Sequence, residues 1–457
     1  MLTSSYRIIS ARNSIIFVAV LGFLSIRKLS AGWVSDGRGY EVGNRRRFVS
    51  ALRMECLMLL GNFFMYGQLM VYYEKRDYDK LYKQAKTKLR AIASATLITF
   101  MVAAQLIHFL YFASEEVQDQ FFDVSAFLFG IWVNLLGLVA GCFIVNSVIR
   151  IFDKVPSISP MLTRMRQLPY ISSLMFDRRC QIRAVLLVAV AMSLLMWYGS
   201  DDIVVKQVTI PVKNFSGLNG SVKIALLSDI HTGATVRRNQ IAKVADKLRD
   251  LDVDAVALVG DIVDGPLKIL ANRIEPLWGA LKQHHTYFVS GNHEYYYGDA
   301  MLWFAEYEAH GVRVLNNRCE MFHGICIVGV NDVSSNKSGI IGHHMNLPEA
   351  MRNCTQGASR LLLTHNPSSL SKFSAGDLAK IDVVLSGHTH AGQFYVVAPV
   401  TWLLWPYLYG LYDIGHGKLF VSAGTLYGGP PMKMLWMSEI WIVNLVNDTS
   451  QVVDALR

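Results

Sequence analysis

Charge is in short supply in this sequence. Only 17% of its 457 residues are Asp, Glu, Lys or Arg, while 52% are hydrophobic, and the mean hydropathy is +0.29. A soluble globular chain of this length is rarely so apolar, which argues against a protein with no part in lipid. Internal repeats and low-complexity tracts are also absent. The C-terminal half lacks a basic stripe with interleaved aromatics, so no nucleic-acid partner is expected despite the formal charge of +9. The Lys and Arg residues gather instead at 45–47, 80–90 and 164–183, where they flank apolar runs in the manner of membrane topology signals.

The apolarity that is present divides the chain near Ser200. Before that point long uncharged runs alternate with basic loops; after it, short Val/Ile/Leu strands alternate with mixed helices and Gly/Asn turns. Residues 1–200 are therefore expected to form a transmembrane region of about five helices, and residues 201–457 one α/β domain large enough for its own core. Four runs without Asp, Glu, Lys or Arg approach or exceed the ~20 residues a spanning helix needs: Cys56–Tyr73, Ala91–Ser114, Val124–Ile149 and Ala184–Ser200. A fifth, Asn13–Ile26, is short and follows Arg7 and Arg12, which suits a signal-anchor or a cleaved signal peptide as well as a span.

Loop charge sets the expected orientation. Glu74–Arg90 and Arg150–Arg183 hold seven basic residues each, whereas Glu115–Asp123 between them holds only acids. The basic loops should face the cytosol, which sends the helix from Ala184 outward and places the following domain in a lumen or outside the cell. Arg45–Arg47 disagrees, since single crossings put it on that outer side too. Sequons at Asn214, Asn219, Asn336, Asn353 and Asn447, all beyond the last span, add modest support and suggest a glycoprotein. Cys319 and Cys326 flank a His-Gly turn, where a disulfide and two unrelated buried thiols are equally good readings. Within the spans, His108, Asn134 and Asn146 are expected to hydrogen-bond between helices rather than line a transport path, because no paired acid accompanies them.

Five short motifs follow β-like runs in the C-terminal half: SDIH (228–231), GDIVD (260–264), GNHE (291–294), THNP (364–367) and GHTH (387–390). In an open α/β sheet, ligands gather beyond the carboxyl ends of the strands, so these loops are able to converge. Carboxylates and imidazoles together suit divalent ions of the Mn, Fe or Zn class better than Mg or Ca. Two such ions roughly 3.5–4 Å apart can share a hydroxide and hold both oxygens of a displacement at phosphorus. On an extended segment Asp229 and His231 face the same way and can clasp one ion; a turn at His388 and His390 would let them diverge to separate ions.

DxH, GDxxD, GNHE, a lone His and GHxH in this order resemble the signature of calcineurin-like metallophosphoesterases, over about Val222–Leu445. The resemblance implies an α/β/β/α sandwich and a metal-dependent phosphoric ester hydrolase with a dinuclear site and bridging hydroxide. It implies that Asp229, His231 and His390 hold one metal, that Asp261 bridges, and that Asn292, His365 and His388 hold the second. His293 is left as the catalytic residue, placed to stabilise the transferring phosphoryl group and protonate the leaving oxygen. Asp264 is expected to support rather than ligate. Each imidazole taken alone could be an ordinary core or surface side chain; the shared motif order favours the site. The remaining histidines match no motif position.

Ala391 stands where a second Gly is frequent, and GTLYGGPPMKMLWMSEI lacks the Arg and Pro that often precede the final Glu-Ile, which puts recognition of the substrate's non-reacting part in doubt. The run FYVVAPVTWLLWPYLYGLY (394–412) is expected either to pack against the sheet edge or to rim the site, where it would accept an acyl chain or dip into the bilayer. The expected substrate is a phosphorylated small molecule or lipid carrying a phosphomonoester or phosphodiester. A pyrophosphohydrolase acting on a lipid-linked substrate and a vestigial membrane receptor or channel are the alternatives, the last disfavoured because no predicted ligand is missing.

Overall fold

In the computed structural model, residues 40–71, 80–213, 215, 220–298 and 300–448 are described; Asn13–Ile26 and the sequons at Asn214 and Asn219 lie outside them. Contacts divide the chain into two compact units, one built on Phe48–Leu195 and the other on Met196 onward, with residues 40–47 and the last turn of the helix ending at Gly199 also counted in the second.

The first unit is helical. Among the described residues four helices, α1 (Tyr40–Met70), α2 (Lys80–Gln105), α3 (Glu115–Phe152) and α4 (Arg178–Gly199), contain stretches long and apolar enough to cross a membrane. They overlap the four uncharged runs, because a backbone in hydrocarbon must satisfy its hydrogen bonds within its own segment. Met58, Met65, Met101, Trp132, Leu135 and Ala189 pack at their centre. The polar side chains do bond between helices: Asn134 Nδ2 donates to Ser193 Oγ (2.9 Å) and Asn146 Nδ2 to Gln181 Oε1 (3.0 Å). His108, however, has an acid partner, its Nδ1 lying 2.7 Å from Glu55 Oε1. The expectation of no paired acid fails because the uncharged run starts at Cys56 and leaves Glu55 just outside it, whereas α1 carries Glu55 inside its apolar stretch.

Among the described residues the second unit is a two-sheet sandwich of twelve strands: β1 (Val204–Val212), β2 (Ser221–Leu227), β3 (Ala255–Val259), β4 (His285–Val289), β5 (Arg313–Val314), β6 (Arg318–Phe322), β7 (Ile325–Gly329), β8 (Ser359–Leu363), β9 (Val383–Ser386), β10 (Gly410–Asp413), β11 (Lys418–Val421) and β12 (Glu439–Asn447). The sheet orders are β1-β12-β2-β3-β4-β5 and β10-β11-β9-β8-β7-β6. Strand alternation builds the layers. Val222, Ile224 and Leu226 of β2 meet Ile325, Ile327, Leu361 and Leu385 between the sheets, while Ala225 and Leu227 turn to the helices outside. On that outer face lie α5 (Arg238–Arg249), α6 (Leu267–Leu281) and α7 (Ala300–Ala309). Ile241, Val244, Ala245 and Leu248 form the buried stripe of α5 at helical spacing. The other sheet is covered by shorter pieces, including the single turn Leu347–Ala350, packed on Cys326, Val328, Leu362 and Val384. The α/β/β/α layering expected from the sequence is present.

The His323–Gly324 turn joins β6 to β7, with both residues at positive φ as the hairpin requires. The cysteines beside it do not pair with each other. Cys319 sits opposite Val328 and Cys326 opposite Met321, two rungs apart, and Cys326 is bridged instead to Cys354 across a Cα–Cα distance of 5.6 Å. Cys319 remains a free thiol.

Candidate metal centre

Parallel strands deliver the five motifs to one end of the sandwich. Asp229 and His231 follow β2, Asp261 and Asp264 follow β3, Asn292–Glu294 follow β4, His365 follows β8, and His388 and His390 follow β9. The chain does not leave these strands extended. Asp229, His231, Asp261, His388 and His390 all have φ between 49° and 72°. Each such residue costs of order 1–3 kcal/mol when it is not glycine, so the surrounding packing must impose it. The extended geometry expected at Asp229 and His231 is therefore corrected: a sharp turn, not strand alternation, brings them together. Two glycines make the turns fit. A Cβ on Gly291 would lie 2.1 Å from Asp261 Oδ1, and one on Gly387 would lie 2.3 Å from Asp229 Oδ2.

The side chains form three overlapping groups: Asp229, His231 and His390; Asp261, His365 and His388; and His231, Asp261 and His293. In the first, the Nε2 atoms of His231 and His390 are 3.0 Å apart, and Asp229 Oδ1 lies 3.9 and 3.4 Å from them. In the second, His365 Nε2 is 3.1 Å from Asp261 Oδ2 and 3.2 Å from His388 Nδ1. His388 and His390 thus diverge, one to each group, as a turn between them allows. Asn292 is buried beside them, and its Oδ1 makes no hydrogen bond among the described residues.

These residues fit a pair of divalent cations. His365 Nδ1 donates to Val259 O (2.8 Å) and His231 Nδ1 to Asp264 Oδ1 (2.8 Å), which orients both rings and turns each Nε2 toward another ligand-type atom. Opposed lone pairs repel unless a proton or a metal lies between them. Burial pushes His390 down to about 3, so it is neutral at physiological pH, as a metal ligand must be. Burial also opposes the charge on Asp261, yet His365 and His293 hold its carboxyl well below the usual range.

His293 differs from the others. Its Nδ1 lies 2.6 Å from Asp264 Oδ1, its Nε2 is 3.8 Å from Asp261 Oδ2, and its side chain is 28% exposed where Asp229 and His365 are sealed. Partial burial works against its charge, but the carboxylates of Asp264 and Asp261 prevail and push the imidazole up to about 10. Asp264 serves both His231 and His293 and sits in neither of the two groups that include Asp229 or His365.

Two features escape the motif reading. Glu294, fully buried, accepts from the backbone N–H of Asp261 (3.0 Å), Ile262 (2.8 Å) and Gly291 (2.6 Å), lacing the loop after β3 to the loop after β4. Burial, with Asp261 nearby, pushes its carboxyl up to about 7. Its place as the fourth letter of GNHE was the available signal. The other feature is a buried lysine, Lys433, whose amine burial pushes down to about 7 and which donates to Gly424 O (2.8 Å) and Leu426 O, behind Asp229. It lies in the same GPPMK stretch whose missing Arg was noted, but nothing in the sequence says that this lysine turns inward.

The calcineurin-like phosphoesterase family matches residues 222–392. A Danio rerio protein named transmembrane protein with metallophosphoesterase domain is 35% identical over 245 residues, 52% of this chain and 56% of its own. Its Bos taurus namesake is 35% identical over 247 residues, 52% of this chain and 55% of its own. An uncharacterized metallophosphoesterase of Aquifex aeolicus is 31% identical over 228 residues, 49% of this chain and 85% of its own. The chain spans about half the length of the two vertebrate relatives it matches. With motif order, sandwich and clustered Asp/His groups in agreement, the chain belongs to the calcineurin-like metallophosphoesterase family.

Proposed function

We propose that this protein is a membrane-anchored phosphoesterase, with residues 1–200 as anchor and 201–457 as the domain that hydrolyses a phosphomonoester or phosphodiester. The observation that carries the reading is that two ligand groups, drawn from strands of both sheets, meet at Asp261, which stands with His365 and His388 in one and lies 3.9 Å from His231 Nε2 of the other. In this reading Asp229, His231 and His390 hold one divalent ion, Asn292, His365 and His388 the second, and Asp261 both. When bound, two such ions lower the pKa of a shared water and neutralise charge developing at phosphorus.

The chain's own residues do the rest. Asp264 holds the imidazoles of His231 and His293 at 2.8 and 2.6 Å and so fixes both rings. His293, whose imidazole the Asp264 and Asp261 carboxylates push up and which is reachable from solvent, stabilises the phosphoryl oxygens and gives its Nε2 proton to the leaving oxygen. Glu294 keeps the Asp261 and Asn292 loops in register. A metal-dependent screen of aryl phosphates, nucleotides, sugar phosphates and phospholipids with the purified full chain tests this; a metal-free chain inert toward all of them would favour a vestigial domain instead.

A non-cytosolic side for the domain is the reading that the basic, acidic, basic order of the loops supports, together with the Cys326–Cys354 bridge and the exposed Asn336 and Asn353 in sequons. Protease added to sealed microsomes should then spare the domain, and glycosidase should shift its mobility. Digestion without detergent, with no such shift, would put it in the cytosol.

A further inference from the structure

From Ala391 to Tyr412 no residue is charged, yet part of this stretch faces water. Its helix α8 (Ala398–Leu404) is fastened along its first half, where Ala398 packs among Ala391, Ala423, Met434 and Met437 and Thr401 lies against Gly392. Beyond that turn Trp402 is 67% exposed, Leu403 75% and Leu404 72%. Trp436 belongs to the same surface, 64% exposed. Its loop is tied to the α8 segment by Met434 N donating to Gln393 O (3.0 Å) and Leu435 N donating to Tyr395 Oη (3.1 Å). The far end of the run does pack at the sheet edge, where Gly410–Tyr412 form part of edge strand β10 and Tyr407 and Tyr412 lie against the core, whereas Trp402–Leu404 do not. Contiguous apolar surface of this kind is uncommon on soluble domains and marks a contact with something apolar.

The course of the 433–438 loop says what that something is. Lys433 N donates to Met196 O (3.3 Å), Ser438 Oγ donates to Ser200 O (2.6 Å), and a Cβ on Gly199 would lie 2.5 Å from Leu435 Cδ2. Met196–Gly199 is the last turn of α4, the point at which a span would leave hydrocarbon, and it carries exposed Trp197 and Tyr198. Trp and Tyr concentrate at that depth because one end of each ring is apolar and the other polar. The exposed surface is therefore continuous with the exit of a candidate span. At its other end it reaches the metal-binding groups: the Trp405 ring lies over the His388 ring, with centroids 6.0 Å apart and planes 11° from parallel.

We propose that α8, with Tyr395 and Trp436, seats in the interfacial layer of the host bilayer, and that the site takes phosphoesters of amphiphiles embedded there, headgroup toward His388 and acyl chains left in lipid. The substrate half of this proposal rests on the phosphoesterase reading; the seating half does not.

The test uses the full chain reconstituted in phosphatidylcholine vesicles containing phosphatidic acid. With bromine on the upper acyl carbons of the phosphatidylcholine, tryptophan quenching in the parent should exceed that in Trp402→Phe, which keeps an apolar ring but removes the reporter. Equal quenching would overturn the seating, and a dimer lost in the same variant would give the face to a second copy. In parallel, Trp402→Ser combined with Leu403→Ser and Leu404→Ser should leave hydrolysis of a soluble aryl phosphate within about twofold of the parent. Release of phosphate from vesicle phosphatidic acid should fall about tenfold or more, since only the embedded substrate depends on being positioned by this surface. Equal effects on both substrates would overturn the substrate half. A parent inactive toward both would sink the phosphoesterase reading, with the quenching result still deciding the seating.

Discussion

The floor of the site, Asp229 to His390, and its rim, Phe394 to Trp405, adjoin in the chain but are made of opposite materials. The floor is buried, polar and bent into positive φ at Asp229, His231, Asp261, His388 and His390. The rim is apolar, uncharged and in large part exposed. Chemistry constrains the floor, because two cations accept few donor types and little positional freedom. Nothing so strict constrains the rim, whose apolar residues need only match what they touch. Floor variants should accordingly disable every substrate alike, and rim variants should separate one substrate from another.

The sharpest break falls at Asp261. Asp261→Ala removes the carboxylate lying between the two ligand groups and is expected to lower turnover of any phosphoester by roughly 10³-fold or more; full activity on an aryl phosphate would show that the groups are not joined there. Next is His293. His293→Ala should lose about 10²–10⁴-fold in kcat while retaining its metals, because the ring contacts Asp264 and approaches Asp261 without completing either outer group. Metal loss from this variant, measured by elemental analysis, would recast His293 as a ligand and blur the division between floor and catalytic group.

Glu294 tests whether the floor's geometry depends on its backing. Glu294→Ala strands the backbone N–H donors of Asp261, Ile262, Val263 and Gly291 and should weaken metal affinity about 10–100-fold, with Glu294→Gln recovering part of it. Far from both floor and rim, Cys354→Ser should leave kcat unchanged and cost about 3–4 kcal/mol of domain stability, the loop-closure value for a bridge across 28 residues. Identical thermal unfolding of parent and variant under non-reducing conditions would remove the bridge as support for a non-cytosolic domain.

The same contrast explains what could be read from the sequence. GDIVD and SGHTH announce the floor because each follows an apolar strand and each donor has few alternative uses; β3, Ala255–Val259, is buried at every position, as a strand covered on both faces should be. The backbone turns at Asp229 and His231 were not legible, since positive φ at Asp or His leaves no mark in composition. Neither was the Cys326–Cys354 bridge: a hairpin turn brings strands together but leaves register to decide which thiols meet, and Cys354 is distant in sequence. Glu55 was missed because a window drawn around uncharged residues ends where the first charge begins. The rim stayed ambiguous for the most general reason: an apolar run reads alike whether it meets protein or lipid, and only its attachment through Leu435 to the end of α4 separates the two.

The central claim is that two cations share Asp261, and the most direct measurement is electron paramagnetic resonance of the manganese-loaded full chain alongside its metal content. The account predicts two equivalents per chain and an exchange-coupled, multi-line spectrum that collapses to a simple uncoupled signal in Asp261→Ala. One equivalent in the parent, or two that show no coupling, would contradict it.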